Sequence, residues 1–286
     1  MRLVRLLPAA FAVLFLARPA LAESWNRHFQ VGAHPRVTVE ADDARVEIIT
    51  WDRPEVAVHV ESSGWRIGSQ LRLEAEQHGS DVNIAARTPH GWIRFDVSTR
   101  DLRVQVSMPR EADLDVHTGD GAVAVTPMTG RVDVRTGDGS ISLRGVHGDI
   151  RLISGDGAID GAGLDGALNA STQDGRVHVS GRFDALEIGS GDGRVIAEAE
   201  PGSVVRDGWS LHSGDGSLTL RVPPGLAADL EAHTGDGSIR LGLPVEVTGE
   251  WGRAHLEGRI NGGGAPLRLH SGDGSIRVEQ LAAPTR

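Results

Sequence analysis

Between residues 117 and 197 the chain repeats itself every 18 residues, and each repeat is marked by an Asp-Gly turn that mostly reads Gly-Asp-Gly. The aspartates fall at Asp120, Asp138, Asp156, Asp174 and Asp192, and three looser copies follow at Asp215, Asp236 and Asp273. A fixed period of this kind signals stacked units, none of which buries enough surface alone. Written in nines from His117, each unit is a turn followed by a short strand with two apolar positions, such as Val132 and Val134 or Ile141 and Leu143. Alternation with period two sends those side chains to one face. The corners alternate as well: one is Ser/Thr-Gly-Asp-Gly, the other carries an apolar residue, Met128, Val146 or Leu164.

This pattern predicts an all-β chain, a repeat β-solenoid of the flattened parallel β-helix or β-roll type with 18-residue rungs. The alternative is an antiparallel meander in which the same corners are hairpin turns. In either case the glycines beside Asp are expected to supply positive φ. The Asp and the preceding Ser or Thr are expected to bond the turn backbone.

Residues 30–110 read as an N-terminal β-strand region continuous with the solenoid, with strands at 36–40, 44–48, 55–60 and 102–106. Trp51 and Trp65 in this half read as core or end-cap residues. Residues 111–280 form the repeat region and 281–286 a tail. Residues 1–22 have the form of a cleavable signal peptide: Arg2 and Arg5, an apolar run from Leu6 to Ala17, and Ala20-Leu21-Ala22 before Glu23. That apolar run falls short of the ~20 residues of a membrane span. The expectation is export to the periplasm, the medium or the cell surface, with no transmembrane segment in the mature chain.

Loss of that segment removes three arginines and no acid, so 29 basic residues become 26 against 39 acidic, a net charge of −13. Such a field disfavours nucleic acid as a partner. Lysine is absent, which excludes Schiff-base and P-loop chemistry, and cysteine is absent, which excludes disulfides.

Three sets of side chains are candidates for chemistry. The aspartate column (Asp120, Asp138, Asp156, Asp174, Asp192, Asp215, Asp236 and Asp273) offers carboxylates at strand spacing and is the candidate Ca²⁺ site. The nonapeptide β-roll uses both corners of each coil, whereas here only alternate corners carry Asp, so solvated aspartates helped by Arg135, Arg151, Arg176 and Arg194 are the favoured reading. His117, His212, His233 and His270 precede that corner at one register, and His212 beside His233 would offer a Zn²⁺ pair without a third ligand. Where the period breaks stand Asp207, Trp209, Glu250, Trp251 and His255, candidates for an interaction site or for a saccharide cleft with paired carboxylates.

The Ser/Thr-Gly-Asp-Gly-Ser-Ile units resemble the bacterial putative adhesin family of Gly-Asp-Gly β-strand-repeat proteins, a domain of unknown function. Further matching segments are Ile49 to Val56, Val106-Ser107-Met108-Pro109 and Asn261-Gly262-Gly263-Gly264, so the resemblance spans about residues 35–280. It implies an exported or envelope-associated solenoid-like domain with no catalytic residues. The resulting expectation is a non-enzymatic scaffold for an envelope or surface protein or glycan, without cofactor. A Ca²⁺-binding β-roll and a cell-wall glycan-active enzyme are the alternatives.

Overall fold

The computed structural model describes residues 22–88 and 101–282; residues 1–21, which hold nearly all of the expected signal segment, lie outside that range, as do residues 89–100 and 283–286. Among the described residues every regular element is a strand. Before the repeats come β1 (Glu23–Gln30), β2 (Arg36–Ala41), β3 (Arg45–Trp51), β4 (Glu55–Ser63), β5 (Arg72–His78), β6 (Asp81–Arg87) and β7 (Asp101–Pro109). The regular region holds β8 (Asp113–Thr118), β9 (Val123–Val125), β10 (Met128–Thr129), β11 (Val132–Thr136), β12 (Ile141–Arg144), β13 (Val146–Ser154), β14 (Ile159–Thr172), β15 (Val177–Ser190) and β16 (Val195–Ala199). Then follow β17 (Trp209–Ser213), β18 (Leu218–Val222), β19 (Ala228–Thr234), β20 (Ile239–Gly242), β21 (Glu246–Trp251), β22 (His255–Ile260), β23 (Pro266–Ser271) and β24 (Ile276–Gln280).

The chain winds between two faces. On the first, Leu114, Val132, Ile150, Leu168 and Leu186 are Cα partners in that order, each 18 positions beyond the last, and all these pairs are parallel. On the second face Val123, Ile141, Ile159, Val177 and Val195 do the same. β14 and β15 are each 14 residues long and run through the apolar corner, so both faces join in one continuous sheet. Inward residues alternate with outward ones as the period-two pattern requires, and the apolar-corner residues Met128, Val146 and Leu164 are buried with them. The parallel pairing disposes of the antiparallel meander for the repeats.

At both ends the spatial order departs from the chain order. β2 pairs in parallel with β8 on one side and β6 on the other, while β3 lies between β7 and β9. Antiparallel strands finish that end, β5 beyond β6 and β4 with β1 beyond β7. At the C-terminal end β17 is followed in space by β23, then β19, β22 and β21. On the second face β18 is followed by β24 and then β20. The last turn of the chain is therefore inserted between two earlier ones. The loop that returns it is Asn261-Gly262-Gly263, all three with positive φ, anchored by the Asn261 side-chain amide donating to the Leu226 carbonyl at 2.7 Å.

The corner glycines differ from the expectation. Positive φ belongs to glycines of the apolar corner, such as Gly145 and Gly163, and to none of the glycines flanking the aspartate column. The second glycine of each Asp corner is needed because the rungs approach so closely: a Cβ on Gly139 would lie 2.1 Å from the Gly121 carbonyl oxygen, and one on Gly193 1.8 Å from that of Gly175. The Ser/Thr hydroxyl performs the expected task and a further one. Thr172 Oγ1 accepts from the Gly175 amide of its own corner at 3.2 Å and donates to the Gly157 carbonyl of the preceding corner at 3.1 Å. These hydroxyls are buried, so both partners are satisfied inside the stack.

Candidate functional site

The eight aspartates of the column are all exposed and stand along one edge of the stack. First-glycine amides bond the preceding corner, as from Gly155 to the Gly137 carbonyl at 2.5 Å and from Gly272 to that of Gly214 at 2.6 Å. This brings successive carboxylates to about the 4.8 Å strand spacing. At that distance two charges in water repel by about 0.9 kcal/mol, a cost solvent screening reduces further. Among the described residues none of the eight carboxylates accepts a hydrogen bond or joins an ion pair, so the backbone and the Ser/Thr hydroxyls fix the turn without them. No group of three or more acidic or histidine side chains gathers into a metal-holding arrangement among the described residues. The arginines expected to help the column divide otherwise. Arg135 pairs with Asp133 at 2.8 Å and Arg176 with Asp160 at 3.2 Å, while Arg151 and Arg194 join no ion pair among the described residues.

The histidines form a row that differs from the expected one. His212, His270, His233 and His255 are register partners across β17, β23, β19 and β22, so His270 separates His212 from His233. The His233 and His270 rings stack with centroids 5.5 Å apart and planes 11° from parallel, and His255 meets His233 edge-on at 5.9 Å. His212 covers Gly189 of the next strand. Stacked imidazoles present their faces to one another and their nitrogens sideways, which does not converge on one ion.

The residues at the breaks in the period are dispersed. Asp207 stands at the rim of a shallow groove of about 490 Å³ on the first face, floored where Ala167, Ala185 and Gly208 leave little side chain and rimmed by Arg131, Asp149, Arg151, Glu187 and Arg268. The Trp209 ring does not project from that surface: the residue is 1% exposed and packs edge-on against Phe183 at 6.4 Å. As an interaction residue Trp209 is therefore corrected to a core residue, because its place in β17 is an inward one. Glu250 and Trp251 belong to β21, and their side chains lie outside the described residues. His255 sits in the histidine row and contacts Glu257 at 3.3 Å. Asp133, an outward position of β11, is 6% exposed.

A cluster that sequence reasoning passed over lies on the second face. Arg194, Arg221, Arg240 and Arg277 surround a depression of about 300 Å³. The grouping depends on the out-of-order insertion of β24 between β18 and β20, which spacing alone does not reveal.

No curated protein matches the chain in sequence. Among solved structures, the chain is similar to a protein from Parabacteroides distasonis ATCC 8503 described as a putative lipid binding protein, at 13% identity and a TM-score of 0.51, over 91% of this chain and 97% of that one. A putative adhesin from Parabacteroides merdae ATCC 43184 aligns over the same shares at 9% identity and a TM-score of 0.43. At such identities the first likeness speaks for the fold. With its parallel two-faced stack, and a family model matched over residues 34–279, the chain belongs to the Toastrack DUF4097 family, a domain of unknown function.

Proposed function

We propose that this protein is an exported, non-catalytic β-solenoid of 18-residue rungs that presents its outer faces to a protein or glycan of the cell envelope or surface. The observation that carries this reading is the in-register array of outward side chains. Rows such as His212, His270, His233 and His255 run across neighbouring strands at fixed spacing on a hydrogen-bonded sheet. A surface of this kind suits extended recognition, because its polar groups are positioned before a partner arrives. Cleavage after Ala22 would release a chain whose first strand starts at Glu23.

The test combines location and contact. Full-length chain is produced in a bacterial host and fractionated, its N-terminus is sequenced, and photo-crosslinking residues are placed singly at Ser142, His178 and Glu187. The expected result is a chain starting at Glu23 outside the cytoplasm, with crosslinks from one face to a recurrent envelope component. A chain that stays in the cytoplasm with residues 1–22 attached, or crosslinks equally from both faces to unrelated proteins, would overturn the reading.

A further inference from the structure

The arginine-lined depression on the second face has the composition of an anion site. Across β16, β18, β24 and β20 the register row reads Ile196, Thr219, Arg277 and Arg240. The row before it reads Arg194, Ser217, Ser275 and Ser238, linked by bonds from Val195 N to Ser217 O, Leu218 N to Ser275 O and Ile276 N to Ser238 O, each 3.0 Å. Ser217, just before β18, and Thr219 on it thus lie between long arginines on either bank. Arg194, just before β16, and Arg240, in β20, lie three strands across and one row on from each other, about 16 Å at the usual strand spacing and rise.

The lining holds four arginines and no carboxylate, in a chain where acids outnumber bases 39 to 29. Acidic neighbours divide the four into two kinds. Glu198 and Glu279 hold Arg221, and Glu279 also lies 3.5 Å from Arg277. The guanidinium groups of Arg194 and Arg240 have neither a hydrogen bond nor an ion pair among the described residues, although Asp192 and Asp236 are near in sequence. Two guanidiniums are held in place and two are uncommitted, beside hydroxyls that rotate to donate. The groove on the first face provides the contrast: its Arg131 and Arg151 are also without ion pairs, but Asp149, Glu187 and Asp207 share the lining and cancel their charge.

We propose that this depression binds a small oxyanion of the phosphate or sulfate class, with Arg194 and Arg240 as the principal charge donors and Ser217, Thr219 and Ser275 as hydroxyl donors. A guanidinium offers a planar fork of N–H groups that matches two oxygens of such an ion, and pairs of this kind are stronger than neutral hydrogen bonds. The site is independent of the partner reading above, since it needs only the strand order at this end of the stack.

The test is isothermal titration of the purified chain lacking residues 1–22, at low salt, with inorganic phosphate, sodium sulfate and sodium acetate as separate probes. One phosphate or sulfate per chain is expected, saturating below about 10 mM, with acetate weaker. The double variant Arg194→Ala/Arg240→Ala is expected to lose at least about tenfold in affinity, and Arg194→Lys/Arg240→Lys to fall between it and the parent, because lysine keeps the charge but not the fork. Arg131→Ala/Arg151→Ala serves as the control and is expected to bind like the parent. Far-UV circular dichroism and melting curves confirm that each variant is folded. Absence of saturable binding by the parent, unchanged binding by the alanine double variant, or an equal loss in the control would each overturn the proposal.

Discussion

The hydroxyl of Ser271 donates to the carbonyl oxygen of Gly216 at 3.0 Å, across a sequence separation of 55. In the regular rungs the equivalent bond spans 15 positions, as from Thr172 to Gly157, and across the first irregular loop it spans 20, from Ser213 to Gly193. Thr234 completes the series by donating to the Gly274 carbonyl at 2.7 Å. The same local corner is thus built whatever the order in which the chain delivers its rungs. What the corner demands is a neighbour with a free glycine carbonyl, and chain distance is immaterial to that.

Ser271 is fully buried and also accepts from the Gly274 amide at 3.0 Å. Ser271→Ala removes the partner of a buried donor and of a buried acceptor together, an expected loss of about 1–3 kcal/mol in urea unfolding. Ser271→Thr is expected to retain nearly all of the stability, because Thr fills the equivalent place at 136, 172 and 234.

The glycines separate into two kinds by the cause of their requirement. A Cβ on Gly193 would meet the Gly175 carbonyl oxygen at 1.8 Å, and both groups are backbone. Gly193→Ala is therefore expected to cost about 3 kcal/mol or more by forcing adjacent rungs apart. Gly225, at φ +87°, has nothing within 4 Å of the added atom, so Gly225→Ala carries only the left-handed backbone penalty of about 1–2 kcal/mol. Melting curves of the two variants, measured side by side, check the order.

Removal of a rung is expected to depend on where the rung stands in space. Deletion of residues 137–154 joins Thr136 to Gly155 in the same register and takes out one turn of the stack, so a cooperative transition at lower Tm is expected. Truncation after Ala265 removes a similar length of chain but takes away β23 and β24, which separate β17 from β19 and β18 from β20. Limited proteolysis is expected to digest that variant from about residue 200 onward, where a serial solenoid would merely fray at its last rung.

Acid sensitivity is expected at Asp113. Burial by itself would raise its pKa, but the Arg131 amide at 3.1 Å, His34 at 3.2 Å and the nearby Arg36 together hold the carboxyl below its ordinary value. A depressed carboxylate contributes stability that is complete above the unfolded pKa of about 3.9 and is lost as pH falls through the folded value. Asp113→Asn lacks that contribution. The stability gap between parent and variant is expected to close as the pH falls below about 4, as read by denaturant titrations at several pH values.

How far the sequence could be read depends on which forces are local. The 18-residue period, the alternation within strands and the unlike corners are local patterns, and each appears in the register of β8 through β16. The role of the corner glycines was not legible, because a carbonyl oxygen of the neighbouring rung, not the glycine's own dihedral, makes Cβ intolerable at Gly139 and Gly193. The burial of Trp209 is hidden from the sequence for a related reason: the loop before it resets the alternation, so a residue in an apparent irregular stretch begins a strand at an inward position.

The repeat thus carries the all-β class, the inward residues and the exposed aspartate edge, since these follow from side-chain periodicity within a single rung. The order of the rungs is decided only in three dimensions. Each corner and strand presents nearly the same bonding groups, so β23 fits between β17 and β19 as well as a sequential neighbour would, and the return loop at Asn261-Gly262-Gly263 selects that place. The histidine row and the arginine-lined depression are both products of that insertion.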